Sequence, residues 1–334
     1  MKALLLINLG TPDAPDKKSV RKYLREFLND ERVIDFPPLK RSLLVNGIII
    51  PFRTASSTLL YKEVWTEKGS PLLFNSLELT EKMKEAMGEE FDVYFAMRYQ
   101  SPSLELVMKE IEKKAYTELI VVPLYPQYAS SSTGSTAQKV MEIMSKWEVI
   151  PSFRFINSFF NNDAFIRVVA NNGDKYDVKS FDHILFSYHG LPERHIQKSC
   201  KVKGCKYEDC ISSCSDQRMY CYRSACYETT RKIVAQLGIS EDKYSVAFQS
   251  RLGKDPWIQP FSDVVVEDLA KQGVKKLLIF SPAFVADCLE TIVEIGSEYQ
   301  EIFEKHGGEK IQLVESLNSN NNWVKALKSI ILES

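Results

Sequence analysis

Two groups of side chains in this sequence, one histidine and one acidic series, have the types and spacings that metal and proton chemistry require. His189 is one of four histidines and follows an apolar run in Phe186-Ser187-Tyr188-His189-Gly190-Leu191-Pro192. The Gly and Pro after it force a tight turn, which would hold an imidazole at the edge of a cleft. An imidazole there can accept a proton near neutral pH. The competing reading is a histidine that only satisfies the backbone of the turn. Asp287, Glu290, Glu294 and Glu298 lie in the otherwise apolar stretch Asp287-Cys288-Leu289-Glu290-Thr291-Ile292-Val293-Glu294-Ile295-Gly296-Ser297-Glu298. Spacings of three and four residues put them on nearly one face of a helix. Like charges so placed repel, and a cation would relieve them; hard oxygen ligands suit a divalent metal that is held loosely and passed on. An acidic solvated face is the alternative.

The cysteines form a third group. Of seven, Cys200, Cys205, Cys210, Cys214, Cys221 and Cys226 crowd one stretch and only Cys288 lies apart. In a cytoplasmic protein such crowding points to a metal site before disulfides. A fourth, weaker feature is Tyr125-Pro126-Gln127-Tyr128-Ala129-Ser130-Ser131-Ser132-Thr133-Gly134-Ser135. It follows a strand and opens a helix, so its hydroxyls and N–H groups could bind an anion such as a carboxylate. It lacks the lysine and glycine spacing of a nucleotide-binding loop.

The elements that must position these residues are short apolar runs alternating with amphipathic stretches. The predicted strands are Ala3–Leu9, Val93–Arg98, Leu119–Leu124 and Phe153–Ser158, then His183–Ser187, Ser245–Gln249, Lys276–Phe280 and Ile311–Glu315. Leu104–Lys114, Cys226–Leu237 and Val264–Gln272 are predicted helices. Continuous Val/Ile/Leu/Phe strands alternating with helices imply an α/β fold with parallel sheets covered on both faces. The halves echo each other: Leu4–Pro12 resembles Ile184–Pro192, and Val93–Arg98 resembles Ser245–Ser250. Two similar domains follow, read here as 1–160 and 161–316, with a terminal helix over 317–334. In such sheets ligands bind beyond the carboxyl ends of the strands. That rule gathers Gly10–Pro12, Tyr125–Ser135, His189–Pro192 and Ala283–Glu290 around one cleft.

Composition narrows the class. The 334 residues are 44% hydrophobic and 26% charged, ordinary for a globular protein. With 43 Lys+Arg against 44 Asp+Glu there is no basic excess, which argues against nucleic acid as a partner. Met1–Gly10 reads as a first buried strand rather than a signal peptide. No apolar run approaches the roughly 18 residues of a membrane span. A cytoplasmic location is expected.

At these residues the sequence resembles the ferrochelatase family. Leu185–Pro192 is similar to the family's central motif and Asp287–Thr291 to its acidic one. Asn8–Pro12, Arg98-Tyr99, Tyr125–Tyr128, Phe248–Arg251, Asp255-Pro256-Trp257 and Glu315–Asn318 also match, in order, over nearly the whole chain. The resemblance implies two Rossmann-like domains around a porphyrin cleft, the type II chelatase fold. It implies a lyase of heme biosynthesis that inserts Fe2+ into a porphyrin, protoporphyrin IX rather than coproporphyrin III, bending the macrocycle so that its nitrogens face the metal. His189 and Glu290 become the central metal-binding and proton-handling pair, backed by Asp287, with Glu294 and Glu298 continuing a polar path. Arg53, Tyr61, Ser70, Tyr125 and Trp257 become porphyrin contacts. Arginine suits propionate carboxylates, which it grips bidentately. Pro37–Pro51 matches the family's apolar lip, which could touch a membrane surface or be an ordinary core helix. A peripheral position at the inner membrane and a monomeric or homodimeric state are both compatible.

The family motif normally runs quickly from the histidine to a tyrosine, here matched to Tyr222; this chain inserts cysteines across 199–221. Some ferrochelatases bind a 2Fe–2S cluster partly through C-terminal cysteines, but this chain has none after Cys288, and Ser130 stands where those members have a further ligand. The resemblance therefore points to a cluster built from the insert alone, with Cys200, Cys205, Cys210 and Cys214 as ligands and Cys221 as the substitute. Cys226 is discounted. The gaps are four, four, three and six residues. They lack the two-residue step of zinc knuckles but include the four-residue step of plant-type 2Fe–2S proteins. Zinc, disulfides or free thiols remain alternatives, as do a chelatase for another metal or tetrapyrrole and a carrier that binds without turnover.

Overall fold

The structure, a computed structural model, describes residues 1–202, 210–211, 219–251, 253 and 255–333. The chain divides into two compact units. The first comprises Met1–Tyr125, Ala129–Ser158 and Ser319–Ser334, the second Pro126–Tyr128 and Phe159–Asn318.

The first unit holds strands β1 (Lys2–Gly10), β2 (Phe91–Tyr99), β3 (Glu118–Pro123) and β4 (Ser152–Phe155), all parallel, in the order β2-β1-β3-β4. Ala3 to Ile7 and Leu119 to Val122 are wholly buried, because helices cover both faces of the sheet. On one face Leu5, Ile7 and Val121 pack with Met108, Ile111 and Val140 from the helices Leu104–Glu112 and Ser135–Met144. The last helix, Asn321–Glu333, belongs to this unit: Trp323 and Leu327 are buried, and Lys328 Nζ donates to the Ala86 carbonyl at 2.6 Å.

The second unit repeats the plan with β5 (His183–His189), β6 (Tyr244–Gln249), β7 (Lys276–Phe280) and β8 (Lys310–Leu313), parallel and in the order β6-β5-β7-β8. Leu185 and Ile279 pack with Val266, Tyr299 and Phe303. The equivalent ends of the two sheets share a close approach. At Gly10, φ is 130° and a Cβ would lie 2.2 Å from the Tyr99 carbonyl oxygen. At Gly190 a Cβ would lie 2.7 Å from the Gln249 carbonyl oxygen, which accepts the Gly190 N–H at 2.7 Å. Only glycine lets the chain leave the first strand of each unit this close to its neighbour.

Three elements differ from the sequence expectation. His189 is the last residue of β5 rather than a residue after the strand. The helix predicted from Cys226 begins at Tyr222, with Cys221 as its N-cap, and runs to Leu237. Residues 38–64 form one continuous helical stretch of 27 residues, long and apolar enough to cross a membrane by length and composition. Lys40, Arg41 and Arg53 break its hydrophobic run in the sequence, so the apolar length emerges only from the helix.

Candidate active site

His189 closes β5, opposite Gln249 in the β5/β6 register. The His189–Gly190 peptide is held at both ends. Its carbonyl accepts the Tyr222 hydroxyl at 2.9 Å, and its N–H is the one bound by Gln249. His189 Nδ1 lies 2.6 Å from the Gly190 carbonyl oxygen, which leaves Nε2 as the outward nitrogen. Phe284 packs beside the imidazole, with ring centroids 6.4 Å apart. The turn beyond is braced by a backbone bridge between Pro192 and Trp257 and by the Ile258 N–H on the Leu191 carbonyl at 2.9 Å. Trp257 is thereby fixed against the histidine turn.

The acidic stretch is a π-helix, Glu290–Glu298, whose i→i+5 bonding gives it a wider turn than an α-helix. Gln249 ties it to the sheet: its amide takes the Ser187 hydroxyl at 2.7 Å and donates to the Glu290 carbonyl at 3.3 Å. Glu294 is held by the Ser250 N–H at 3.0 Å, the Ser250 hydroxyl and the Tyr299 hydroxyl at 3.2 Å. Burial raises the Glu294 carboxyl above the usual range; neighbouring Glu290 adds to the rise and His189 opposes it. His189, Glu290 and Glu294 therefore share one electrostatic neighbourhood. A site with one carboxyl biased toward the protonated form and a histidine nearby can hold and exchange protons around a cation.

The four carboxylates do not all lie on one helix face. Asp287 precedes the π-helix, and its oxygens are occupied by the Asn318 amide at 2.7 Å, the Thr291 hydroxyl at 3.2 Å and the Ser316 N–H at 3.2 Å. It positions the start of the helix. Glu298 is exposed at the helix end. Among the described residues, no three His, Cys, Asp or Glu side chains already stand together as a metal site. The residues that sequence reasoning gave no role are Gln249, Ser250, Tyr299 and Asn318. Gln249, Ser250 and Asn318 fall in matched motifs, but Tyr299 carries no sequence signal.

In the first unit, Arg53 is exposed on the helix Ile50–Val64, and Tyr61 on the same helix meets Tyr23 edge-on at 6.0 Å. Ser70 is buried and donates to the Thr11 hydroxyl at 2.9 Å, joining the β1 turn to the next helix. The hydroxyl of Tyr125, just beyond β3, is buried, which pushes its ionisation upward.

Of the cysteines, Cys205 and Cys214 lie outside the described residues. The Sγ atoms of Cys210 and Cys221 are 3.8 Å apart and both residues are buried. The Cys210 thiol, then the Ser224 N–H and the Arg223 guanidinium, draw the Cys221 thiol down to about 6 against the effect of burial. Cys200 is half-buried.

Comparison with known proteins shows the family. The ferrochelatase family model matches residues 1–334. A ferrochelatase from Legionella pneumophila (strain Lens) is 43% identical over 335 residues, covering 99% of each chain. One from Coxiella burnetii (strain Dugway 5J108-111) is 42% identical over 99% of this chain and 93% of its own. Among solved structures, the sirohydrochlorin chelatase SirB from Bacillus subtilis subspecies spizizenii superposes with a TM-score of 0.56 at 10% identity, over 99% of this chain and 94% of that one, a likeness of fold. With a full-length family match and relatives above two-fifths identity, this chain belongs to the ferrochelatase family.

Proposed function

We propose that the protein inserts Fe2+ into protoporphyrin IX, forming protoheme and releasing two protons. The observation that carries this reading is the end-to-end family match, joined to a histidine and two carboxylates gathered where β5, β6 and the π-helix meet. Metal insertion exchanges two pyrrole protons for one dication, so the site must take up protons beside the arriving metal. His189 Nε2 accepts the first. Glu290 and Glu294 share the second and pass it outward. Fe2+ is substrate, which suits oxygen and nitrogen donors that converge without forming a closed cage. Arg53, exposed on the helix Ile50–Val64, suits a porphyrin propionate. The test is anaerobic addition of Fe2+ and protoporphyrin IX with optical detection of heme. Heme formation by the wild type and its loss in His189→Ala support the reading; wild-type protein that binds porphyrin without turnover is a carrier and overturns it.

The cysteine insert is proposed to hold a 2Fe–2S cluster, a reading supported by the contact between the buried Cys210 and Cys221 sulfurs. Two thiolates on one tetrahedral metal at about 2.3 Å stand about 3.8 Å apart. The Cys210 and Cys221 sulfurs have that separation. We take Cys221 as a ligand beside Cys210, the remaining two coming from Cys200, Cys205 and Cys214. Such a cluster, when bound, supplies a structural tie or a redox sensor, since metal insertion transfers no electron.

The apolar lip is proposed to touch a membrane surface. Leu39, Leu43, Ile48, Phe52 and Leu59 are exposed, Phe52 by 80%. Their steps are four, five, four and seven residues, and the five-residue step crosses a π-turn at Val45–Ile49. Because π bonding joins residues five apart, it keeps Leu43 and Ile48 on one stripe.

A further inference from the structure

We infer that Tyr222 is a positioning residue that couples the Cys210/Cys221 pair to His189, so that the state of the cysteine sulfurs is transmitted to the imidazole. The inference rests on the reading of His189 as the proton acceptor.

The chain of contacts is short. Cys221 is the N-cap of the helix Tyr222–Leu237, and its sulfur faces that of Cys210. The next residue, Tyr222, is buried and donates its hydroxyl to the His189 carbonyl at 2.9 Å. That carbonyl belongs to the peptide whose N–H is fixed by Gln249 at 2.7 Å. The plane of this peptide sets where the imidazole starts. One end is anchored to a sheet neighbour, which is rigid; the other hangs on the side chain directly after a sulfur ligand.

The body of the helix is fixed by contacts beyond its first turn. Thr230 Oγ1 pairs with the Tyr188 hydroxyl at 2.8 Å, and Thr229 Oγ1 donates to the Phe160 carbonyl at 3.1 Å. Further along, Arg231 Nη1 donates to the Ile211 carbonyl at 2.6 Å, pinning the residue after Cys210 to the same helix. A change at the sulfur pair is thus taken up in the first turn, where Tyr222 sits, rather than by sliding of the helix. Metal-bound and metal-free sulfurs differ in charge, and Tyr222 converts that difference into a tilt of the His189–Gly190 peptide.

The test is a double-mutant cycle on reduced, metal-free, full-length protein, read by the imidazole NMR resonance of His189. With four histidines, His189→Ala assigns that resonance. Cys221→Ala should shift the His189 resonance in the Tyr222 background, and the shift should be lost in Tyr222→Phe, which keeps the ring and removes only the hydroxyl. In the heme-forming assay Tyr222→Phe should lower kcat about 5-fold with the porphyrin KM unchanged, and Cys221→Ala should add nothing further to it. Equal His189 shifts from Cys221→Ala in both backgrounds, or fully additive kinetic effects, overturn the coupling. Cys221→Ser replaces the alanine variant if that one fails to fold. Absence of heme formation by the wild type would refute the assigned activity, while the NMR cycle still decides the coupling.

Discussion

Ser250 holds the Glu294 carboxylate with both its backbone N–H, at 3.0 Å, and its hydroxyl. It does so from a left-handed backbone, with φ at 64°, a conformation that costs a non-glycine residue energy. The strain aims two donors at one carboxylate just past the end of β6. Glu294 is therefore placed by Ser250 and Tyr299 together, not by the π-helix alone.

Glu294 has its carboxyl raised by burial, so its protonated form is favoured in the folded protein. Its stabilising contribution is full below the ordinary carboxylate range and is lost as pH rises through the raised value. Glu294→Gln should remove this loss and raise Tm near pH 7 by about 2 °C, with no gain near pH 4. Calorimetry at the two pH values checks it; an equal gain at both would show that the carboxyl is not the cause.

Removing the imidazole should stop the chemistry and spare binding. His189→Ala is expected to lower the rate of heme formation by about 100-fold or more, as loss of a general base does. Porphyrin affinity, measured by fluorescence quenching, should change less than about 3-fold, because the altered group acts on protons.

Gly10→Ala should destabilise the first unit by about 3 kcal/mol, since the new Cβ would collide with the Tyr99 carbonyl oxygen and require an unfavourable φ. Urea denaturation measures it. A loss below about 1 kcal/mol would mean the β1–β2 junction relaxes more readily than its geometry implies.

Anaerobically purified wild type should show visible absorption from a cluster. Cys221→Ser should abolish it, and Cys226→Ser should not, although both thiols are buried. Cys226 lies within the helix, where burial raises its thiol far above the ordinary value, the opposite of Cys221. Equal loss in both variants would reassign the ligand set.

Phe52→Ser should weaken cosedimentation with phospholipid vesicles by about 5-fold, given about 2–3 kcal/mol for a large buried aromatic that is only partly inserted. Unchanged sedimentation would leave the exposed stripe without a lipid role.

The sequence made the parallel strands legible because Leu4–Ile7, Leu119–Val122 and Leu277–Phe280 are continuous apolar runs that only a doubly covered sheet accommodates. His189 was legible through its strand end and the Gly and Pro beyond it. The roles of Gln249 and Ser250 were not, because their partners lie about 40 residues away and depend on register. The π-helix was also hidden: the apolar pattern around Glu290–Glu298 fits an α-helix equally well, and only the backbone bonding distinguishes them. Asp287 looked like a member of that face by spacing, but Asn318 and Thr291 claim it, and no local pattern announces an interaction with residue 318. The turn of chain into the Tyr222 helix brings Cys221 to Cys210, a contact that no spacing along the chain announces.

The π-helix also makes this site intolerant of length changes. An α-helix that loses one residue turns everything beyond the gap by about 100°. A π-helix with one residue fewer can instead relax to the commoner geometry, so a deletion at Val293 would be absorbed without unfolding. The Glu294 side chain would then leave the reach of Ser250 and Tyr299, giving a folded, soluble protein with its proton-handling carboxylates out of phase. Residue identity would be kept, and only the count between Glu290 and Tyr299 would have changed.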